Sequence, residues 1–564
     1  MGLARIRDGI LRYVYPMMTA NVLNLFDQTI YYGTITVENG RVARLDRLGP
    51  ERPGERYVLP GFVDAHVHIE SSLLTPPQFA RLAVVHGTVA TVSDPHEIGN
   101  VLGVAGVDYM IREGRRVPFK FAFGAPSCVP ATAFETAGAA INGSDVGELL
   151  SRPDIRYLAE MMNFPGVLHG DPDVLAKIER ARTLGKPVDG HAPGLMGDDA
   201  QRYIDAGMST DHECFTYEEG RDKARRGMNI LIREGSAARN FDALIPLLAE
   251  FPNQIMFCSD DKHPDTLVEG HINQLVLRAL GAGQSLWNVL RAACLNPVRH
   301  YHLPVGLLRE GDPADYIVVD NLRAFGVLQT VIDGQIVAGN GTSRIADLRS
   351  EHVNRFGCSP KTPAQFAVRA GSATSAIRVI EALDGQLITN ELHLEPAVDN
   401  GLIVPDVARD VLKIAVVNRY RDAPPAVAFI KNFGLKRGAL ASSVGHDSHN
   451  ILAVGCDDGS LCRAVNLVIE AQGGLSAVGG TSPAVEHRLA LPVAGLMTDA
   501  DGYAVARQYA ELDQFVKQAL GSTLSAPFMT LSFMALLVIP ALKLSDQGLF
   551  DGARFTFVRL QMET

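Results

Sequence analysis

The stretch GFVDAHVHIESS, residues 61–72, follows a proline and reads as a short apolar strand that breaks off in polar residues. Side chains at i and i+2 of a strand leave the same face. His66 and His68 therefore point together at one spot, with Glu70 two positions further on. Two imidazoles on one strand face can serve one metal ion, although a histidine pair at a strand end can equally hydrogen-bond to solvent. The choice depends on whether other segments deliver further ligands to the same place.

Outward from this strand, between about residues 60 and 303, short apolar runs alternate with helical stretches. Eight strand candidates are present: GFVDAHVH, ATVSDPHE, FKFAFGAPS, IRYLAEMMN, PVDGHAPG, MSTDHECF, NILIREGSA and QIMFCSDD. Eight strands with intervening helices in about 240 residues predict an α/β fold, a TIM-like (β/α)8 barrel with its active site at the C-terminal strand ends. A doubly wound sheet shows the same alternation and is the lesser alternative. One strand after another ends in His, Asp, Glu or Arg, which a purely structural barrel does not need. The polar ends include His66 and His68, Glu160, His191, His212 and Asp260. Four imidazoles and two carboxylates suit a pair of borderline divalent ions, with Glu160 in LAEMMNF as the bridging carboxylate. Singly, each has an ordinary explanation: a loop histidine at His191 or His212, a solvated acid at Glu160, a helix cap at Asp260 or Asp261. Their joint occurrence at successive strand ends favours the metal site.

The flanks of this region are strand-rich. Apolar and polar residues alternate around Asn39-Gly40, and again around Asp333-Gly334, each marking a hairpin. The two segments are expected to pair into one small β-domain, which divides the chain into 1–59, 60–303, 304–342 and a third, α+β region at 343–564. That last region carries GHDSHNILAVG, with His446, Asp447 and His449, and the apolar run FMTLSFMALLVIPALKL from Phe528. The run is too short for a bilayer and is expected to be a buried core segment. The first twenty residues place charges early and have no continuous apolar region, unlike a signal peptide. No repeat, low-complexity tract or phosphate-binding glycine loop is evident.

Composition narrows the function classes. The chain has 564 residues, 47% hydrophobic and 20% charged, enough for several domains with a large core. A net charge of -11 gives no electrostatic footprint for nucleic acid or an anionic membrane, so a small molecule is the expected partner. Seven scattered cysteines with no Cys-x-x-Cys pair fit reduced thiols, and a cytoplasmic location is expected.

The ordered ligands resemble the amidohydrolase superfamily, and the flanking strands resemble its composite β-sandwich domain. PGFVDAHVHIESSLLTP, SDPHEIGNVLG, GHAPGL, REGSAARN, CSDDKHPDTLVEGHI, GHDSHNILAVG and PFMTLSFMALLVIP are together similar to adenine deaminases of the microbial type, nearly end to end. The resemblance implies hydrolytic deamination of adenine to hypoxanthine and ammonia, in purine salvage. It also implies two divalent ions, Mn or Fe with Zn as an alternative, and a homo-oligomer, expected to be a dimer. Asp260 would bind a metal and take the proton of the attacking water. A second acid must help ammonia leave: Glu213, which on a regular strand points away from the metal face, or Asp261, with Glu234 as a further option. Arg233, Ser236 and Asn240 are candidates to bind the purine or to cap a helix. His96 and Glu97 are candidates to line the pocket, hold an additional metal or orient ligands. The pair His446 and His449 would bind a metal, cover the purine or brace a loop. The same fold and metals would also serve N6-methyladenine, another aminopurine or a cyclic amide. A non-catalytic binding protein is disfavoured because all six ligand positions are intact, and a nucleic-acid enzyme because no run of Lys and Arg is present.

Overall fold

The computed structural model describes residues 3–7, 10–14, 18–479 and 485–563. Each of the eight apolar runs contains a strand: β1 (Phe62–Val67), β2 (Thr88–Ser93), β3 (Lys120–Ala125), β4 (Ile155–Met161), β5 (Val188–Gly190), β6 (Thr210–Asp211), β7 (Asn229–Arg233) and β8 (Ile255–Cys258). Neighbours pair in parallel in sequence order. The two ends of the order meet past β8, where the Asp260 amide donates to His66 O at 2.9 Å and the His68 amide donates to Asp260 O at 3.3 Å. The sheet thus closes into a barrel. Every residue of β1 and β2 is buried, because one face fills the barrel and the other lies under helices. Helix starts carry local signals: Asp171 caps Pro172–Thr183 by accepting from the amides of Asp173 and Val174, with proline in the first turn.

The flanks meet as expected. Tyr57–Pro60, just before β1, pairs antiparallel with Tyr316–Val319 and parallel with Met18–Asn24. Hydrogen bonding joins the two flanks into one continuous ten-stranded sheet. Its two tight turns are chemically determined. Asn39 and Gly40 have φ of 51° and 78°, Asp333 and Gly334 45° and 74°, so both central residues of each two-residue turn are left-handed, as the twist of a hairpin demands.

After residue 343 a nine-stranded sheet dominates. Its strand Val411–Val417 is buried on both faces, and the faces go to different cores. Leu412, Ile414 and Val416 belong to the apolar cluster that runs on into the barrel, whereas Ala415 and Val417 pack with Leu461, Val465 and Val468 of the helix Asp458–Glu470. The period of two along one strand thus seats the C-terminal region on the barrel and covers its far side. The run from Phe528 forms the buried helix Pro527–Phe533 and the turns after it. Among the described residues no helix is long and apolar enough to cross a membrane.

Candidate active site

The polar strand ends converge at the top of the barrel, and all six expected ligands are buried there. His68 Nδ1 lies 3.3 Å from the carbonyl of Asp94 and donates to it, which leaves the Nε2 lone pair facing inward. That Nε2 is 3.2 Å from Glu160 Oε1, 3.3 Å from Asp260 Oδ1 and 3.2 Å from His66 Nε2. His66 Nε2 is itself 3.6 Å from Asp260 Oδ1. The other Glu160 oxygen, Oε2, is 2.7 Å from His191 Nδ1 and 3.3 Å from His212 Nε2. One carboxylate therefore divides its oxygens between two groups of donors, one from β1 and the end of β8, the other from the ends of β5 and β6. Buried ring nitrogens and carboxylate oxygens crowded this closely require positive charge among them. Imidazole and carboxylate donors together fit divalent metal ions.

Asp260 has φ of 56°, a left-handed conformation that aspartate tolerates better than most residues. The strain belongs to a residue that closes the barrel with its backbone and faces the histidines with its side chain.

Glu213 also faces the site, 3.4 Å from His212 Nε2 and 3.8 Å from His191 Nδ1. Strand alternation would have turned it away, but β6 ends at Asp211, and His212 and Glu213 lie beyond the ladder. The Arg233 guanidinium grips it with both arms: Nη2 donates to Glu213 Oε2 at 2.9 Å, and Nη1 donates to Glu213 Oε1 and to Asp260 Oδ2, the latter at 2.6 Å. Burial pushes the Glu213 carboxyl up, but the Arg233 charge and the two adjacent histidines outweigh it and hold the group well below the usual carboxylate range.

The other expected substrate contacts divide. Asn240 spends its side chain on backbone, accepting from the Arg233 amide at 2.8 Å and donating to the carbonyls of His212 and Cys214, both at 3.1 Å. Ser236 Oγ accepts from the His263 amide at 2.8 Å and pairs with Thr266 Oγ1. Both fasten strand-end loops, and neither lines the cavity above the ligands, whereas Arg233, His96, Glu97, Asp261, His446 and Asp447 do. Asp261 accepts from Ser71 Oγ at 2.5 Å, and its carboxylate lies within 4.8 Å of the ligating atoms of His68 and Asp260. The cavity measures about 30 Å³ and is roofed by Leu387, Phe533 and Leu536 of the C-terminal region.

The amidohydrolase family model matches residues 57–337, and the adenine deaminase C-terminal domain model matches residues 386–556. An adenine deaminase of Salinibacter ruber is 57% identical over 96% of this chain and 98% of that protein, and one of Borreliella burgdorferi is 46% identical over 96% and 98%. The chain belongs to the adenine deaminase family. A beta-aspartyl dipeptidase from Fervidobacterium islandicum is a more distant likeness, 17% identical over 58% of this chain and 99% of that one, with a TM-score of 0.42.

For this adenine deaminase family member, sequence reasoning left out Asp94 and the roof. Asp94 stands beside His96 in SDPHEIGN and had a readable signal, a carboxylate at a strand end. The roof residues had none, since an apolar side chain over a cavity reads like any other core residue. Arg233 carries a prediction. Replacing it by Met leaves Glu213 and Asp260 as buried anions without their shared cation, and breaking a buried pair in this way costs about 3–5 kcal/mol. The expected result for Arg233→Met is a matching loss in urea unfolding free energy. A variant within about 1 kcal/mol of the parent would show that the pairing is not needed for stability.

Proposed function

We propose that this protein hydrolyses adenine to hypoxanthine and ammonia. The observation that carries this reading is the near-full-length likeness to adenine deaminases in a chain whose strand ends bring the ligand set together. His66, His68 and Asp260 would hold one divalent ion and His191 and His212 a second, with Glu160 bridging them. Such ions supply acidified water at neutral pH. The remaining work belongs to the chain. Asp260, beside both β1 histidines, accepts the proton of the attacking water. Between the two candidate acids, Asp261 is favoured to protonate a ring nitrogen. The Arg233 fork keeps Glu213 ionised and so suits it to accept a hydrogen bond from the purine. Water oxygen enters at C6 and the exocyclic amine leaves as ammonia.

Mn or Fe in the metal positions, a homodimer, and a role in cytoplasmic purine salvage complete the reading. The seven free cysteines support a reducing compartment. N6-methyladenine, other aminopurines and cyclic amides belong in the same assay. Ammonia release and the ultraviolet change of adenine to hypoxanthine, with metal content measured on the same sample, test it. No turnover of adenine by metal-loaded protein, or faster turnover of N6-methyladenine or a cyclic amide, would overturn it.

The roof narrows the cavity to about 30 Å³, the space of about two waters. Lys543 governs that roof. It is fully buried, and its Nζ donates to the carbonyls of Leu387 at 2.5 Å and Phe533 at 3.0 Å, joining the two segments that cover the cavity. Lys543→Met should raise KM for adenine about tenfold, the equivalent of one hydrogen bond of ~1.4 kcal/mol, with little change in kcat. A fall in kcat at constant KM would place Lys543 outside substrate binding.

A further inference from the structure

Beside the ligands already described lies a second convergence of buried donors. The barrel supplies His96 and Glu97 from the helix His96–Leu102, and the C-terminal region supplies His446 and Asp447. All four are at least nine-tenths buried. The ligating atoms of His96, Glu97 and Asp447 lie within 4.8 Å of one another. His446 Nε2 is 2.9 Å from Glu97 Oε1, and His96 Nε2 is 3.5 Å from the same oxygen and 3.9 Å from Asp447 Oδ1. Despite this closeness, His446 Nε2 and both oxygens of Glu97 have no partner aligned as a hydrogen bond.

The proton positions explain why. Ser532 Oγ gives its only hydrogen to the Met529 carbonyl at 2.7 Å, so at 3.0 Å it can only accept from His446 Nδ1–H. With its proton on Nδ1, a neutral ring would present a lone pair at Nε2, which is aimed at Glu97 and, 3.4 Å away, at Asp261 Oδ1. His96 Nδ1 is 3.0 Å from Asp94 Oδ2 and 3.5 Å from Glu160 Oε1, neither aligned as a hydrogen bond, and its Nε2 faces Glu97. His449 differs: its Nδ1 accepts from the Gly445 amide at 3.2 Å, which places the proton on Nε2, toward Glu97 Oε2. It braces the carboxylate from behind. Nε2 atoms of two rings and two carboxylates thus meet with no hydrogen bond aligned between them, and two buried carboxylates so placed need positive charge at their centre.

We propose that His96, Glu97, His446 and Asp447 form a further cation site, separate from the pair bridged by Glu160. Two nitrogen and two oxygen donors select a borderline divalent ion such as Zn2+, Fe2+ or Mn2+ over Ca2+ or Mg2+. The ion fastens the loop bearing His446 to the barrel and stands next to the substrate cavity. The inference concerns metal binding alone, so its test does not depend on which substrate is turned over.

The experiment strips the full-length protein with a chelator, reloads it with Mn2+ or Zn2+, removes free metal and counts ions per chain by elemental analysis. An anomalous difference map of crystals of the same reloaded protein is recorded alongside. The wild type should hold about three ions, with an anomalous peak between Glu97 and His446, and His446→Gln should hold about two. Two ions in the wild type with no peak at that position would overturn the proposal and make His446 an imidazolium clamped between Glu97 and Asp261. Three ions in both proteins would overturn it as well, by placing the third elsewhere. Should His446→Gln fail to fold, the wild-type map decides alone.

Discussion

Asp260→Asn is expected to lower kcat by about 10⁴-fold or more, the upper end of what a positioned general base contributes, because under the proposed mechanism the same side chain also holds a metal. The amide retains one oxygen near His66 and His68 but cannot accept a proton. It also removes the anion that Arg233 Nη1 meets at 2.6 Å, so the Glu213 pairing shifts with it. The neighbouring Asp261→Asn should cost less, since that side chain is held by Ser71 and His446 and lacks the Arg233 contact that Asp260 makes. Steady-state kinetics on both variants at matched metal content compare the two. An inactive Asp261→Asn beside a nearly normal Asp260→Asn would exchange the roles given to the two aspartates.

Glu160→Gln has the second-largest expected effect. Both oxygens of Glu160 are in use, one toward His68 and the other toward His191 and His212. A glutamine offers one oxygen, a nitrogen that repels cations, and no charge. Metal content at these ligands should fall by at least one ion per chain, and turnover by about 10³-fold or more, as two cations lose the anion that let them sit close together. Unchanged metal content with wild-type turnover would refute the bridging role.

How much of this could be read in the sequence follows from how local each signal is. The barrel was legible because every strand carries its own apolar run, and the convergence of polar strand ends because His66 and His68 share a strand face while His191, His212 and Asp260 each close a run. Glu213 stood against the rule that placed His66, yet alternation holds only while the ladder continues, and β6 stops two residues before it. Asn240 and Ser236 have the polarity of substrate contacts, yet their partners are backbone atoms of neighbouring loops that no spacing rule reveals. The roof residues and His446 lie between about 320 and 470 residues from the β1 histidines in the chain, and contacts over that distance leave no local trace.

The sheet shared by the two flanks has a consequence for how the protein is made. Tyr57–Pro60 leaves the ribosome early, but its antiparallel partner Tyr316–Val319 follows roughly 250 residues later, a delay of about 10–50 s at ordinary rates of synthesis. All eight barrel strands are synthesised within that interval. Meanwhile the edge of the N-terminal hairpin stays open to any other strand, including the same segment of a neighbouring nascent chain. Output of correctly assembled protein should therefore depend on the spacing of ribosomes along the message and on holdase chaperones, more than on the stability of the finished barrel.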